Sequence, residues 1–368
     1  MADLLFQGPL DAFLAKVRAK YDAVENQAAR SFQAIKDYNL VSSDPMANSL
    51  FTEISNVTDE GDRAVWRHTY TTGAQALGSR HAGGAYPNAT FLKGYETTVF
   101  DPDNQIAGQF VVAEERQVKE GVYYQSALDR AQKLMLKVER YNIADPFEVF
   151  NLAFTQPGSY PGAGQNRFFG RGNFNGLNEP LISTQHARID GGAAQSNAIL
   201  TSGLSTPFSD TAFWAAREQA ATFVDDVGDA FPTMGGKVSI VAPPANSLVR
   251  TALELNGGEW KVQTANNDIN VHEGELVNIY SSPYLLQSFY SPSTISNKKA
   301  WFLVDTSNRD PQVGTGLVKL LFVPFSSRVE WQQDIDSVVY KVKYEPVYGY
   351  VDWWTIVGSL GDNSAYTN

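Results

Sequence analysis

The sequence predicts an α+β fold, in which helices and antiparallel strands occupy separate stretches of the chain. Three observations predict this class: an apolar stripe with helix period over 121–142, two β-rich stretches separated by glycines before it, and a series of short β-rich runs in the last third. The chain has 368 residues, of which 43% are apolar and 12% aromatic, so it can bury a substantial core.

The N-terminal part predicts one helix and one long β-hairpin. Residues 10–36 repeat apolar side chains at the helix period. Residues 66–72 and 95–100 are rich in β-branched and aromatic residues and predict the two arms of a hairpin, which 109–113 would continue. The Gly- and Ala-rich stretch 73–90 would form its tip. A hairpin of this length cannot bury both of its faces within its own chain, so we expect it to need another surface.

The segment 121–142 is the strongest helix prediction. Its apolar face consists of Leu128, Ala131, Met135 and Val138. A basic stripe lies beside that face at spacings of three and four, made of Arg130, Lys133, Lys137 and Arg140. Asp145-Pro146 predicts the end of this helical pattern.

The rest of the chain predicts a long irregular segment followed by helices and strands. Residues 155–203 are rich in Gly, Asn, Ser and Gln, which is typical of a long loop. Ser209 is a suitable N-cap for a helix over 210–227, and a second helix is predicted over 245–255. Strands are predicted at 238–241, 277–280, 300–305, 317–323 and 337–344, before a strongly aromatic stretch at 348–356.

Composition excludes several classes of function. The net charge of −11 does not suit a protein that grips nucleic acid through its phosphates. The absence of cysteine excludes disulfides, thiolate nucleophiles and cysteine metal sites. We find no membrane span and no signal peptide in the sequence, and therefore expect a soluble protein that is intracellular when made. Only 19% of residues are charged, so we expect part of the surface to meet protein rather than water.

The residues that could carry acid–base or metal chemistry do not form a recognisable set. The histidines His68, His81, His186 and His272 are scattered, with no pair at i,i+4 spacing, and are interpreted as ordinary surface or hydrogen-bonded residues. The acidic pairs Asp225-Asp226 and Asp334/Asp336 are close in sequence, whereas glycoside hydrolysis needs two carboxylates across a cleft.

Four further segments were compared with known ligand-binding and catalytic motifs, and none of them matches. The stretch 170–176 misses the dinucleotide-binding spacing by one residue, and Gly235-Gly236-Lys237 lacks the Ser or Thr of a phosphate loop. Residues 101–105 open like a calcium loop but lack its later Gly and Glu, and 358–361 is too short for a nucleophile elbow. The sequence therefore predicts no enzyme and no catalytic, cofactor-binding or metal-binding residue.

The order of the parts and several local segments resemble a known family. The order is an N-terminal helical arm, a long hairpin, a long helix, an irregular domain and an aromatic β-rich C-terminus. The segments are Ser209–Gln219 followed by Lys237–Asn246, then Ala300–Asp305, Gly316–Phe325 and Tyr348–Trp354. From about Asn56 onward, the chain resembles the major capsid proteins of tailed bacteriophages, the HK97-like family.

The resemblance implies a division of the chain into the parts of that fold. Residues 1–56 would be the N-terminal arm and 57–118 the extended E-loop, which reaches onto a neighbouring subunit. Residues 119–154 would belong to the peripheral (P) domain with its spine helix, 155–299 would form the axial (A) domain, and 300–368 would return to the P domain and form the C-terminus.

The resemblance also implies a function and partners. The chain would assemble as hexamers and pentamers into the icosahedral head shell, which encloses double-stranded DNA without sequence-specific binding. It would be assembled in the host cytoplasm and reside in the virion, with a portal protein as a further partner and no membrane. Whether a decoration protein also binds the shell stays open at this point. Because the arm begins within the first ten residues, a separate scaffolding protein or a processed chain is implied. Some relatives join a Lys of the E-loop to an Asn of the P domain; here Lys93 and Asn363 would be those residues, and no catalytic carboxylate can be assigned.

Two other classes of protein stay open at this point. The many Trp and Tyr residues could serve as sugar-binding platforms in a carbohydrate-active hydrolase, although no acid pair has a recognisable context. A monomeric β-rich tail or spike component is the third interpretation. Particle size separates the three, since only a shell sediments as megadaltons.

Overall fold

The structure is a computed structural model. It describes residues 45–54, 58–60, 63–71, 93–100, 106–114, 124–160, 167–171, 178–188, 191–225, 228–231, 233–244, 246–257, 274–288, 290, 298–307, 316–332 and 337–366. These residues contain both α-helices and β-strands, which confirms the predicted α+β class.

The elements are numbered here in chain order. The helices are α1 (Pro45–Leu50), α2 (Tyr124–Asn151), α3 (Asp210–Ala221) and α4 (Asn246–Asn256). The first seven strands are β1 (Thr52–Ile54), β2 (Thr58–Glu60), β3 (Arg63–Thr71), β4 (Lys93–Phe100), β5 (Ile106–Glu114), β6 (Phe168–Phe169) and β7 (Leu200–Thr201). The others are β8 (Leu204–Ser205), β9 (Val238–Ala242), β10 (Leu276–Ser281), β11 (Trp301–Asp305), β12 (Leu317–Gln332), β13 (Ser337–Tyr350) and β14 (Ile356–Ser359).

The described strands form four sheets. The largest has the order β1-β12-β13-β5, with β6 also paired to β13. The others have the orders β10-β9-β11-β14, β2-β3-β4 and β7-β8. Both orientations occur, since β1–β12, β6–β13 and β10–β9 are parallel, whereas the sequence interpretation had only antiparallel strands.

The chain divides into two compact units. The described part of the first unit contains β5, the beginning of α2 up to Tyr141, and the residues of β12 and β13 that lie within 323–345. In this unit β5 pairs antiparallel with β13, and Phe325 lies edge-on to Tyr344 with ring centroids 6.4 Å apart. The second unit comprises 44–104, 142–322 and 346–368 and contains the other elements.

The core of the second unit is built on the β10-β9-β11-β14 sheet. Every residue of β9, β11 and β14 is buried, so these strands are covered on both faces. Helix α3 packs its Ala- and Phe-rich face into the same core, and Phe150 of α2 lies 5.1 Å from Phe302 of β11 between ring centroids. Burying each large apolar side chain contributes about 1.5–3 kcal/mol, so this core is the main source of the unit's stability.

Helix α2 continues through Pro146, so the predicted helix end at Asp145-Pro146 is wrong. An interior proline typically costs a helix about 3 kcal/mol. Here Phe147, Val149 and Phe150 follow it directly and are all buried in the core. Their burial outweighs the local cost, which a sequence pattern alone does not reveal.

The predicted hairpin is confirmed for its two arms and wrong for its extension. Strands β3 and β4 pair antiparallel from Val65↔Phe100 to Thr71↔Lys93. Strand β5, predicted as a continuation of the second arm, instead pairs with β13, which lies more than 200 residues later in the sequence. The tip, 73–90, and the predicted N-terminal helix, 10–36, lie outside the described residues.

The later predictions mostly hold, with changed bounds. The Ser209 hydroxyl accepts a hydrogen bond from the Ala212 N–H at 3.1 Å, as predicted for an N-cap. Helix α3 stops at Ala221 rather than 227, because the following chain turns so that Val224 pairs with Ala230. Strand β12 runs to 332 rather than 323, and β13 to 350 rather than 344. No described helix has the length and apolar character needed to cross a membrane.

Candidate functional site

A buried ionisable cluster lies on the second half of α2. Asp145 is fully buried and forms an ion pair with Arg167, which precedes β6. Its other carboxylate oxygen accepts a hydrogen bond from the Tyr290 hydroxyl at 2.5 Å. Arg167 also donates to that hydroxyl, and its guanidinium carbon lies 5.3 Å from the Tyr290 ring centroid.

Glu148 extends this cluster by one helical turn. Its two oxygens accept hydrogen bonds from Ser288 Oγ at 2.5 Å and from Asn151 Nδ2 at 2.8 Å. Asn151 Nδ2 also donates to the Tyr284 carbonyl at 2.8 Å. Positions 145, 148 and 151 share one helix face because they are three residues apart. That face therefore holds Tyr284, Ser288 and Tyr290 through side-chain hydrogen bonds.

Opposing effects set the pKa values of the two carboxyl groups in this cluster. Burial raises the pKa of Asp145 to about 6, although the positive charge of Arg167 and the Tyr290 hydrogen bond act in the other direction. Burial also raises the pKa of Glu148, against the hydrogen bonds from Ser288 and Asn151. Desolvation disfavours the charged form of a carboxyl group, and the nearby cation restores only part of that loss.

A second buried cluster surrounds His186. Its Nδ1 lies 3.1 Å from Glu179 Oε2, and its Nε2 lies 3.0 Å from Asn197 Oδ1. The ring stacks on Trp353, with centroids 4.1 Å apart and an angle of 5° between the planes. Asn197 is fixed in turn, since its Nδ2 donates to the carbonyls of Leu181 and Ile356.

The His186 cluster is arranged for packing and not for catalysis. Burial lowers the pKa of His186, and the Glu179 carboxylate offsets that effect only in part. Burial alone would raise the pKa of Glu179, but hydrogen bonds from His186 and the Ala187 N–H bring it below its usual range. Both ring nitrogens face oxygens of neighbouring side chains, so neither is left to activate a nucleophile.

An exposed basic face lies on the first half of α2. It consists of Lys133, Leu136, Lys137 and Arg140, which fall within an arc of about 100° on an ideal helix. All four side chains are exposed, and Leu136 is 51% exposed. Within the part of the chain that the structure describes, none of the three cations forms an ion pair. Val138 on the other side of the helix is buried, as predicted, whereas the side chains of Leu128, Arg130, Ala131 and Met135 lie outside the description.

The other described residues that the sequence analysis singled out lie in turns and strands. Gly235 and Gly236 form a turn before β9, which Arg217 holds by donating to the carbonyls of Met234 and Gly236. The Asp225 carboxylate accepts from the Asp229 N–H at 2.9 Å within a tight turn. His68 lies in β3 and Gly358 in β14.

Several candidates lie outside the described residues. These are His81, His272, Asp226, Asp334, Asp336, residues 101–105 and residues 172–177. Lys93 begins β4, and the Asn363 N–H donates to the Ser205 carbonyl at 3.1 Å. The described residues contain no group of three or more His, Asp or Glu side chains suited to a metal ion.

Sequence reasoning missed both buried clusters. Asp145 and Tyr290 are 145 residues apart, and nothing local in either segment indicates the other. The one available signal was Asp145-Pro146 within an otherwise helical pattern, since a proline retained inside a helix indicates strong tertiary contacts around it.

Comparison with known proteins gives matches among solved structures only. No protein-family model matches the chain, and no curated protein matches it. The chain is similar to a capsid of the cyanophage P-SCSP1u, with a TM-score of 0.48 and 11% identity over 86% of this chain and 88% of that chain. It is similar to the capsid of Ralstonia phage GP4, with a TM-score of 0.42 and 13% identity over 85% and 87%. A virus-like particle from Pyrococcus furiosus has a TM-score of 0.37 and 11% identity over 87% and 93%.

Proposed function

We propose that this chain is a shell-forming structural protein, the major capsid protein of an HK97-like bacteriophage head, and that it is not an enzyme. The observation that carries the proposal is the exposed basic face of α2, where Leu136 lies among three cations without an ion-pair partner in the described residues. A contact with another subunit would cover Leu136 and leave the cations at its polar rim.

The buried ionisable groups support a structural function. Asp145 and Glu148 lie on one helix face, buried, and each is bonded to neighbouring side chains. A carbohydrate hydrolase would instead need two carboxylates on opposite sides of an open cleft. The net charge of −11 also suits a wall that encloses DNA without binding it, because like charges repel.

In this proposal, the parts of the chain take the places that the sequence resemblance implies. Residues 1–56 form the arm, 57–118 the E-loop, 119–154 the P domain with the spine helix, 155–299 the A domain, and 300–368 the return to the P domain. The chain forms hexamers and pentamers around a separate scaffolding protein in the host cytoplasm, and portal and decoration proteins complete the virion.

Assembly of the purified protein tests the proposal. The chain is expressed alone and with the scaffolding protein encoded beside it, and the products are compared by sedimentation velocity and negative-stain electron microscopy. We expect rings, capsomers or closed shells of megadalton mass. A protein that stays strictly monomeric at high concentration, with the scaffold present, would overturn it.

A further inference from the structure

The buried face of α2 carries two carboxyl groups beside one cation. Asp145 and Glu148 are three residues apart, so their side chains lie on the same side of the helix. Both are buried, Asp145 completely and Glu148 with 4% exposure. Arg167 pairs with Asp145, whereas Glu148 is bonded to the neutral side chains of Ser288 and Asn151. When both carboxyl groups are ionised, these three charged groups therefore have one negative charge in excess.

An excess charge is unfavourable in a buried position, because the protein interior solvates it less well than water does. Burial and the nearby Glu148 charge raise the pKa of Asp145 to about 6, against the effect of Arg167. Burial raises the pKa of Glu148 too, and the groups that oppose this, Ser288 and Asn151, are neutral. The first proton to bind removes the repulsion between the two carboxylates, so the two groups titrate as a pair.

We propose that Asp145 and Glu148 together bind one proton, and that this proton tightens the contact between α2 and the residues that follow β10. Those residues are Tyr284, Ser288 and Tyr290, which the same helix face holds by hydrogen bonds. The proton removes the excess negative charge and leaves one carboxylate to balance the Arg167 guanidinium. This device goes beyond the proposed function and does not depend on shell formation.

Mild acid strengthens this contact. A carboxyl group whose pKa is raised in the closed structure binds its proton more tightly there than in an opened segment. The closed state therefore gains stability as the pH falls through about 6 and loses it as the pH rises. If the pair regains the ordinary carboxyl pKa of about 4 on opening, the ratio of closed to open protein is about ten times larger at pH 5 than at pH 7.5.

The groups that surround the pair come from three other parts of the chain. Arg167 precedes β6, Tyr290 follows β10, and Tyr348 of β13 lies nearby, with its hydroxyl 3.3 Å from Asn142 Oδ1. Tyrosine hydroxyls are neutral hydrogen-bonding groups between pH 5 and pH 7.5. In the described chain, the charged groups that act on the pair are thus Arg167 and the two carboxyl groups themselves.

The measurement has to be local, because the His186 cluster responds to acid in the opposite sense. Burial lowers the pKa of His186, so as the pH falls the unfolded chain binds a proton that the folded chain does not. Global stability decreases for that reason, and melting of the whole chain would combine the two effects.

Hydrogen exchange followed by mass spectrometry gives a local measurement. Peptides that contain Tyr284, Ser288 and Tyr290 are compared at pH 5 and pH 7.5, after correction for the pH dependence of the chemical exchange rate. We expect the protection of these peptides in the wild-type protein to be about tenfold higher at pH 5.

Glu148→Gln is the decisive variant. Glutamine keeps an acceptor for Asn151 and supplies a donor for Ser288, while it removes the excess charge. These peptides should then be about equally protected at both pH values, near the wild-type level at pH 5. Glu254→Gln makes the same chemical change at an exposed carboxylate of α4 and, as the matched control, should behave like wild type.

Ser288→Ala keeps the test decisive if Glu148→Gln does not fold. The Ser288 hydroxyl lowers the pKa of Glu148 by bonding to its charged form. Its removal should therefore move the increase in protection to a higher pH, whereas a purely structural loss would lower protection equally at every pH and would contradict the proposal.

Two further results would overturn the proposal. The first is wild-type protection that does not change between pH 5 and pH 7.5 in these peptides. The second is a Glu148→Gln variant that retains the full wild-type change, which would show that Asp145 titrates by itself. Neither result bears on shell formation, which sedimentation and electron microscopy test separately.

Discussion

Replacing Arg167 with Met should destabilise the protein in a strongly pH-dependent way. Arg167 is buried, and its guanidinium pairs with the fully buried Asp145 carboxylate. Methionine keeps much of the side-chain volume and removes the charge. The variant therefore leaves Asp145 with the Tyr290 hydroxyl as its remaining close partner in this cluster.

The size of the effect follows from the burial of the pair. Removing one partner of a buried ion pair typically costs about 3–5 kcal/mol, and this should apply at pH 7.5, where a carboxyl group with a pKa of about 6 is ionised. Without Arg167, which lowers the pKa of Asp145, that pKa rises further above its value in the unfolded chain. The folded variant then binds a proton that the unfolded chain does not, so its stability increases as the pH falls. Between pH 7.5 and 6 this recovers up to about 2 kcal/mol, at about 1.4 kcal/mol per pH unit.

Thermal melting across this pH range measures the effect. At about 2 °C per kcal/mol for a chain of this size, we expect a decrease in Tm of about 6–10 °C at pH 7.5 and a clearly smaller one at pH 6. Arg250→Met is the matched control, because Arg250 is exposed and its pair with Glu254 is a surface i,i+4 pair. It should change Tm by about 2 °C or less at either pH, since such pairs contribute under about 1 kcal/mol.

Two results would refute this reasoning. If Arg167→Met melts like Arg250→Met at pH 7.5, the Asp145 pair is not buried as described. If the loss is large but the same at pH 6 and pH 7.5, it comes from lost packing around Tyr290 and not from an uncompensated carboxylate.

Three further predictions concern the hairpin, the spine helix and covalent linkage. Deletion of 73–90 should leave a subunit that melts like wild type but assembles poorly, because the tip serves contacts between subunits; particles formed at normal yield would count against the E-loop assignment. Val138→Asp buries an unpaired charge at a 2% exposed position and should prevent folding, whereas Lys133→Glu should keep the wild-type Tm and act on assembly; equal melting of the two variants would show that α2 faces the other way. If Lys93 and Asn363 are joined in mature particles, denaturing gels should show multimers that Lys93→Arg abolishes, and gels with monomer alone would dismiss the link.

The sequence correctly predicted those parts of the fold that depend on interactions between residues close together in the chain. Ser209 at the start of α3 and the mostly apolar, fully buried strands β9 and β11 are found where the sequence predicted them. An N-cap depends on a hydrogen bond to a residue three positions away, and a buried strand shows a continuous apolar run. These signals need no knowledge of the rest of the chain.

The parts that sequence reasoning missed depend on distant contacts. The sequence predicted strand β5 as a continuation of the hairpin, whereas in the structure β5 pairs with β13. Helix α2 continues past Pro146 because its second half is buried by residues from later segments. The Asp145–Arg167–Tyr290 cluster joins three segments, none of which carries a motif. In each case, contacts between segments that are far apart in the sequence decide the local structure. A sequence pattern shows each of these segments separately and does not show which one it contacts.

Cryo-electron microscopy of the protein expressed with its scaffold tests shell formation most directly. We predict closed icosahedral shells of megadalton mass, in which the hairpin arms 63–71 and 93–100 lie on a neighbouring copy and Leu136 is covered. A uniform population of single 40.5 kDa subunits, with the scaffold present, would contradict the proposal that this chain builds a capsid.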